Sequence, residues 1–135
     1  MQPHGILETA VYAADLDAAE HFYGTILGMK RVARVGNRHV FFACGQQMFL
    51  IFNPQETRQP YRAGALAVPP HGAVGPGHFA FRVSADELKD WKQHLETHGI
   101  EIESIVDWPQ GGRSLYVRDP AGNSVEFAEP RIWGF

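Results

Sequence analysis

The feature that most constrains this chain is an order of segments that occurs twice. In the first copy, Leu7 to Ala13 alternates as a strand does, and Asp15 can cap a helix that keeps apolar residues at helical spacing until Gly28. Three further strand-like segments follow, at 29–35, 38–43 and 47–52. The pattern therefore predicts a βαβββ module in the first part of the chain.

The second copy begins about 70 residues later, with His78 at the strand position that Glu8 holds in the first. His78 to Val83 alternates as a strand, and Ser84 can cap a helix that ends at Gly99. The remaining predicted strands are 101–106, 113–118 and 123–128. The sequence thus predicts an α+β fold built from two tandem βαβββ modules, at about 5–53 and 77–128.

A segment rich in Pro and Gly, residues 53–77, joins the two modules and shows no sustained period. Loops of this length inside a compact domain are usually functional or mobile. The chain has 135 residues, which is enough for one hydrophobic core, so we expect a single domain over residues 1–135.

Composition limits the kinds of partner and the location that we expect for this protein. The net charge is −3 and no run of Lys or Arg is present, so we expect neither nucleic acid nor an anionic membrane as a partner. The chain has no apolar stretch long enough to span a bilayer, and its first residues lack the regions of a signal peptide, so we expect a cytoplasmic protein. Cys44 is the only cysteine, and its apolar neighbours favour a structural thiol over a nucleophile.

Three groups of residues carry a resemblance to a known family: Asp15-Leu16 with Phe22-Tyr23 and Leu27-Gly28-Met29, then Gly77-His78-Phe79-Ala80-Phe81, then the segment from Gly112 to Phe127. Over nearly its whole length the chain resembles the vicinal oxygen chelate superfamily of glyoxalases, bleomycin resistance proteins and extradiol dioxygenases. The resemblance implies a curved mixed eight-stranded sheet around a metal or small-molecule site, and a homodimer.

The same resemblance implies a metal site. Carried over residue by residue, the metal ligands are Glu8, His78 and Glu126, and the fourth ligand position falls on Phe49, which cannot bind a metal. Three protein ligands leave coordination positions open to water or substrate, as in a catalytic site. Strand alternation supports the grouping, because each of the three lies opposite predicted core residues. Two carboxylates and one imidazole suit Mn, Ni, Zn, Mg or Fe(II).

We therefore expect a glyoxalase-like isomerase, lyase or epimerase that acts on a small substrate chelating through adjacent oxygens. By resemblance, Glu126 is the first choice for both base and ligand, and Glu8 the second. The substrate pocket is predicted to include Phe49, Trp108, Arg113 and Tyr116, although packing or surface roles remain open for all of them.

Three other classes of protein remain open. A metal-free binding protein of the bleomycin resistance type would have a site lined by aromatic residues. A fosfomycin-type transferase or an extradiol dioxygenase would have two histidines and one carboxylate as ligands, and Glu8 departs from both patterns.

Overall fold

The computed structural model describes all 135 residues, and the chain divides into two compact units, residues 1–75 and 76–135. The elements of the first unit are β1 (Glu8–Tyr12), α1 (Leu16–Glu20), a π-helical segment (His21–Ile26), β2 (Lys30–Val35), β3 (His39–Cys44), β4 (Gln47–Phe52) and α2 (Pro54–Thr57). Those of the second unit are β5 (His78–Arg82), α3 (Ala85–Thr97), β6 (Ser104–Asp107), β7 (Arg113–Arg118), β8 (Ser124–Ala128) and a 3₁₀ helix (Pro130–Trp133).

Each unit contains one four-stranded mixed sheet, with strand order β1-β4-β3-β2 in the first and β5-β8-β7-β6 in the second. The first strand of each unit is parallel to its last strand, and the other neighbours are antiparallel. The predicted α+β fold with two βαβββ modules is confirmed, and its eight strands form these two sheets.

The core of each unit lies on the sheet face that bears the helix. In the first unit, the rings of Phe22 and Tyr23 pack edge to face with centroids 4.9 Å apart. The buried strand residues on this face are Val11, Val40, Phe42, Phe49 and Ile51. In the second unit, Leu88 and Leu95 of α3 are buried, as are Leu115, Val117, Val125 and Phe127 of the sheet. One face of each sheet is thus occupied by the helix, and the alternate strand residues lie on the opposite face.

Local residues explain where the helices begin. The Asp15 carboxylate accepts a hydrogen bond from the backbone N–H of Ala18 at 3.0 Å. Ser84 and Glu87 form a reciprocal capping box at the start of α3. The predicted first helix is only α-helical as far as Glu20; it continues as a π-helix, in which the N–H of Leu27 donates to the carbonyl of Phe22 five residues back.

Two short helices went unpredicted, α2 and the 3₁₀ helix, and both begin with a proline. Asn53 caps α2 through a hydrogen bond from the N–H of Gln55, so the Pro- and Gly-rich connection begins with ordered structure. Among all the helices, none has both the length and the apolar character that crossing a bilayer requires.

Candidate functional site

In the second unit, three predicted site residues lie on the sheet face opposite the helix. Strand β8 lies between β5 and β7, and Glu126 of β8 is paired with Ala80 on one side and Tyr116 on the other. His78 lies two residues before Ala80, so its side chain is on the same face. The sheet register therefore brings His78, Tyr116 and Glu126 together.

His78 and Glu126 are in direct contact, with Nε2 of the imidazole 3.2 Å from Oε2 of the carboxylate. The other ring nitrogen, Nδ1, is 3.2 Å from the carbonyl oxygen of Ser124. A carbonyl can only accept, so this contact places a proton on Nδ1 and leaves the lone pair of a neutral His78 at Nε2. Two acceptors then face each other unless a proton or a cation lies between them.

Glu126 is unusually enclosed for a carboxylate. Its side chain is 7% exposed, whereas that of His78 is 54% exposed, and Oε1 of Glu126 is buried without a hydrogen-bond partner. A buried carboxylate oxygen without a partner costs free energy that a bound cation would recover. The carbonyl contact that fixes Nδ1 of His78 is also typical of metal-binding histidines. The pair therefore fits a divalent metal in three respects: the carboxylate is negatively charged, one of its oxygens has no hydrogen-bond partner, and the His78 ring is oriented by the Ser124 carbonyl.

Tyr116 borders this pair, with its ring centroid 6.2 Å from that of His78. Burial raises the pKa of the Tyr116 phenol, and the Glu126 carboxylate raises it further. The hydroxyl consequently keeps its proton at neutral pH and can donate a hydrogen bond. Trp108 is exposed, and its indole N–H donates to the Ser114 hydroxyl at 2.8 Å.

Arg113 lies elsewhere, and its placement corrects the prediction that it borders the same pocket. It is three residues before Tyr116 on β7, so it lies on the opposite face of the sheet. Its guanidinium makes two hydrogen bonds to the Asp107 carboxylate, at 2.6 and 3.0 Å, and these raise its pKa. Arg113 contributes to a cleft of about 330 Å³ beside α3 instead.

In the first unit, Glu8 opens β1 and is exposed, on the sheet face that also carries Ala10 and Tyr12. Phe49 is paired with Thr9 and lies on the other face, 2% exposed, with its ring centroid 4.8 Å from that of Tyr23. The prediction that Phe49 lines the pocket is therefore wrong, because its side chain belongs to the core. Neither unit by itself gathers three or more His, Cys, Asp or Glu side chains around a point that could hold a metal ion.

The Glu8 face also carries a cluster that the sequence left unassigned. Its members are Tyr12, His39, Phe41, Phe52 and His71, which we call the aromatic row. Strand alternation could have placed the first four on one face, but nothing in the sequence indicated that His71 returns from the long connection to the sheet. Cys44, near the far end of β3, is half-buried, and burial raises the pKa of its thiol.

Comparison with known proteins agrees with the two repeated modules. Residues 5–127 match the family model described as the Glyoxalase/Bleomycin resistance protein/Dioxygenase superfamily. This chain therefore belongs to that superfamily.

Individual relatives match this chain over most of its length, in structure or in sequence. A crystal structure of lactoylglutathione lyase from Agrobacterium tumefaciens is 46% identical, covers 100% of both chains and superposes with a TM-score of 0.95. A putative glyoxalase family protein from Bacillus anthracis is 26% identical, covers 96% of this chain and 97% of its own, and has a TM-score of 0.68. An uncharacterized protein of Pseudomonas aeruginosa is 33% identical over 88% of this chain and 84% of its own length.

Proposed function

We propose that this protein is a metal-dependent, glyoxalase-type isomerase, lyase or epimerase that acts on a small substrate chelating through adjacent oxygens. The observation that carries the proposal is the contact between His78 and Glu126, in which Nε2 and Oε2 lie 3.2 Å apart and the other, buried carboxylate oxygen has no hydrogen-bond partner. A divalent cation satisfies both groups at once. Its identity among Mn, Ni, Zn, Mg and Fe(II) is not fixed by these ligands.

By the family resemblance, three side chains would hold the metal: Glu8, His78 and Glu126. The exposed carboxylate of Glu8 is the third ligand on the strength of the family resemblance. When bound, the metal would act as a Lewis acid on a substrate oxygen and so acidify the neighbouring carbon.

Glu126 is the proposed base. Its second oxygen, Oε1, makes no hydrogen bond, so a lone pair is available to accept a proton from substrate carbon. The low exposure of Glu126 excludes water from that oxygen. Tyr116 keeps its proton at neutral pH and would hydrogen-bond to a substrate oxygen or to Glu126. Trp108 and Ser114 would hold the adjoining edge of the sheet in place through their own hydrogen bond.

The reaction type can be tested by proton exchange. Protein loaded separately with each candidate metal is incubated in D₂O with small α-hydroxycarbonyl and dicarbonyl compounds, and loss of the C–H signal is followed by NMR. The first thioester to test is lactoylglutathione, because the Agrobacterium tumefaciens relative is named lactoylglutathione lyase. We expect exchange that falls at least about 100-fold in Glu126→Gln, the usual scale for removing a general base. Exchange that is equal in wild type and Glu126→Gln would contradict the proposed base.

A metal-free small-molecule binding protein is the second candidate, and the aromatic row on the first sheet favours it.

We also propose a homodimer, as in many relatives, and a cytoplasmic location. Sedimentation equilibrium at micromolar concentration tests the proposed homodimer, and a mass of one chain would contradict it.

A further inference from the structure

Two histidines lie one turn apart at the C-terminal end of α3. His94 and His98 are separated by four residues, so their side chains lie on the same side of the helix. Their ring centroids are 4.2 Å apart and their planes are inclined by 39°. Two histidines at this spacing on a helix bind zinc in metalloproteases, so the spacing alone allows both imidazoles to reach one metal ion.

The ring of His98 is oriented by a backbone carbonyl. Its Nδ1 is 2.8 Å from the carbonyl oxygen of His94. Because a carbonyl can only accept, Nδ1 carries the proton and the lone pair of a neutral His98 is at Nε2. A hydrogen bond of this kind is typical of metal-binding histidines, in which it orients the ring. His98 is exposed, so a metal ion in solution can reach its Nε2.

The ring of His94 is attached to the core through Trp91. The indole meets the imidazole edge to face, with centroids 5.6 Å apart and planes inclined by 86°. On its other side, Trp91 packs against the buried Phe127 with centroids 4.9 Å apart. Both imidazoles are therefore held in place before any metal binds, so binding would cost little side-chain entropy.

The separation of the two rings fits adjacent coordination positions of one metal ion. A metal–nitrogen bond to histidine is about 2.0–2.1 Å long, which places the metal about 3.2 Å from the ring centroid. Two imidazoles bound at right angles then have centroids about 4.5 Å apart, and two bound at the tetrahedral angle about 5.2 Å apart. The observed 4.2 Å is closer to the first value. Adjacent ligands at right angles are typical of Cu(II) and Ni(II).

We propose that His94 and His98 form a second metal site on α3, which binds Cu(II) or Ni(II) through two imidazole nitrogens and leaves the remaining positions to water. Imidazole ligands favour these ions over Mg(II), which prefers oxygen. Two protein ligands hold a metal less tightly than three, so we expect this site to be filled only when metal is added. The proposal requires neither metal nor chemistry at His78 and Glu126, and it is tested with those two residues replaced.

The test is a calorimetric titration of Ni(II) into full-length protein carrying His78→Ala and Glu126→Gln, at pH 7.5 in a buffer that does not bind metals. We expect one Ni(II) to bind per chain, and Mg(II) to show no saturable binding. In the same background, His94→Gln and His98→Gln should each weaken Ni(II) binding at least about 10-fold, because two linked ligands bind about 100-fold or more tightly than either alone.

The matched control combines Glu96→His with His98→Gln. It keeps the number of histidines on α3 but places them two residues apart, where side chains on a helix do not face each other. It should bind Ni(II) as weakly as His98→Gln does, and circular dichroism verifies that every variant is folded. In wild type, Ni(II) should also broaden the amide NMR signals of residues 94–98, which locates the metal without any substitution.

Three results would overturn the proposal. The first is the absence of saturable Ni(II) binding to the background protein. The second is an affinity for Ni(II) that is unchanged in His98→Gln or in the control with rearranged histidines. The third is wild-type protein whose signals at residues 94–98 stay sharp when Ni(II) is added.

Discussion

Replacing Glu126 by glutamine should stabilise the metal-free protein, although it removes a proposed catalytic group. Wild type buries a carboxylate oxygen that has no hydrogen-bond partner, and its other oxygen faces Nε2 of His78 at 3.2 Å. Glutamine has nearly the same shape but carries an amide N–H₂. That group can donate to Nε2 of a neutral His78, so two facing acceptors become a donor and an acceptor.

The expected gain follows from the cost of the wild-type arrangement. An unsatisfied buried polar group costs about 1–3 kcal/mol, and a new neutral hydrogen bond contributes about 0.5–1.5 kcal/mol. Because the glutamine still buries one polar oxygen, we expect the lower end of this range, about 1 kcal/mol in the free energy of unfolding. For a chain of this length that corresponds to roughly 4 °C in Tm.

Urea denaturation of both proteins in a chelating buffer measures the difference. Glu101→Gln is the matched control, because Glu101 is exposed, and it should change the free energy of unfolding by less than about 0.5 kcal/mol. A loss of about 1 kcal/mol or more in Glu126→Gln would refute the reasoning, since it would mean that the carboxylate already forms a stabilising ion pair with a protonated His78.

Three further predictions concern stability, each measured by denaturation. Gly112 and Gly122 share a φ of +85°, but only at Gly112 would a Cβ come within 2.7 Å of Ile132. Gly112→Ala should therefore cost about 1–3 kcal/mol more in free energy of unfolding than Gly122→Ala. Equal costs would contradict the steric argument. Ser84→Ala should cost about 1 kcal/mol by removing the capping box of α3, and no loss would mean that the cap is dispensable. Because the pKa of His39 is lower in the folded state, the unfolded chain binds more protons as pH falls below about 6.5, and the folded state loses stability. His39→Gln should reduce this loss of stability at low pH. A dependence of stability on pH that is the same in both proteins would contradict the assigned shift.

Much of the fold could be predicted because it depends on local patterns. Strands β4 and β7 occupy the predicted ranges, since strand alternation and the flanking turn residues mark both ends of each. The predicted strand 101–106 instead runs from Ser104 to Asp107, because its pairing with β7 rather than its own sequence sets its ends. Within the first helix, the change from α to π geometry also depends on tertiary packing.

The site residues likewise divide into those that local sequence patterns could place and those that depend on tertiary contacts. His78, Tyr116 and Glu126 share a face because alternation and strand order place them there, which the sequence pattern could indicate. The fourth ligand position was assigned to Phe49, but the residue paired with Ala10 of β1, as Glu126 is paired with Ala80 of β5, is Leu50. A shift of one position moves a strand residue to the opposite face. The same parity separates Arg113 from Tyr116. His71 could not be predicted, since its contact with Tyr12 joins residues 59 positions apart through an irregular loop.

The central claim, that His78 and Glu126 form part of a metal site, is tested most directly by metal content. Protein purified without chelator or affinity tag is submitted to elemental analysis as wild type, His78→Ala, Glu126→Gln and, as a control, His4→Ala at an exposed position. We expect about one divalent metal per chain in wild type and His4→Ala, and its loss in the other two variants. Wild-type protein without metal, and without any thermal shift when Mn, Ni, Zn, Mg or Fe(II) is added, would contradict the account.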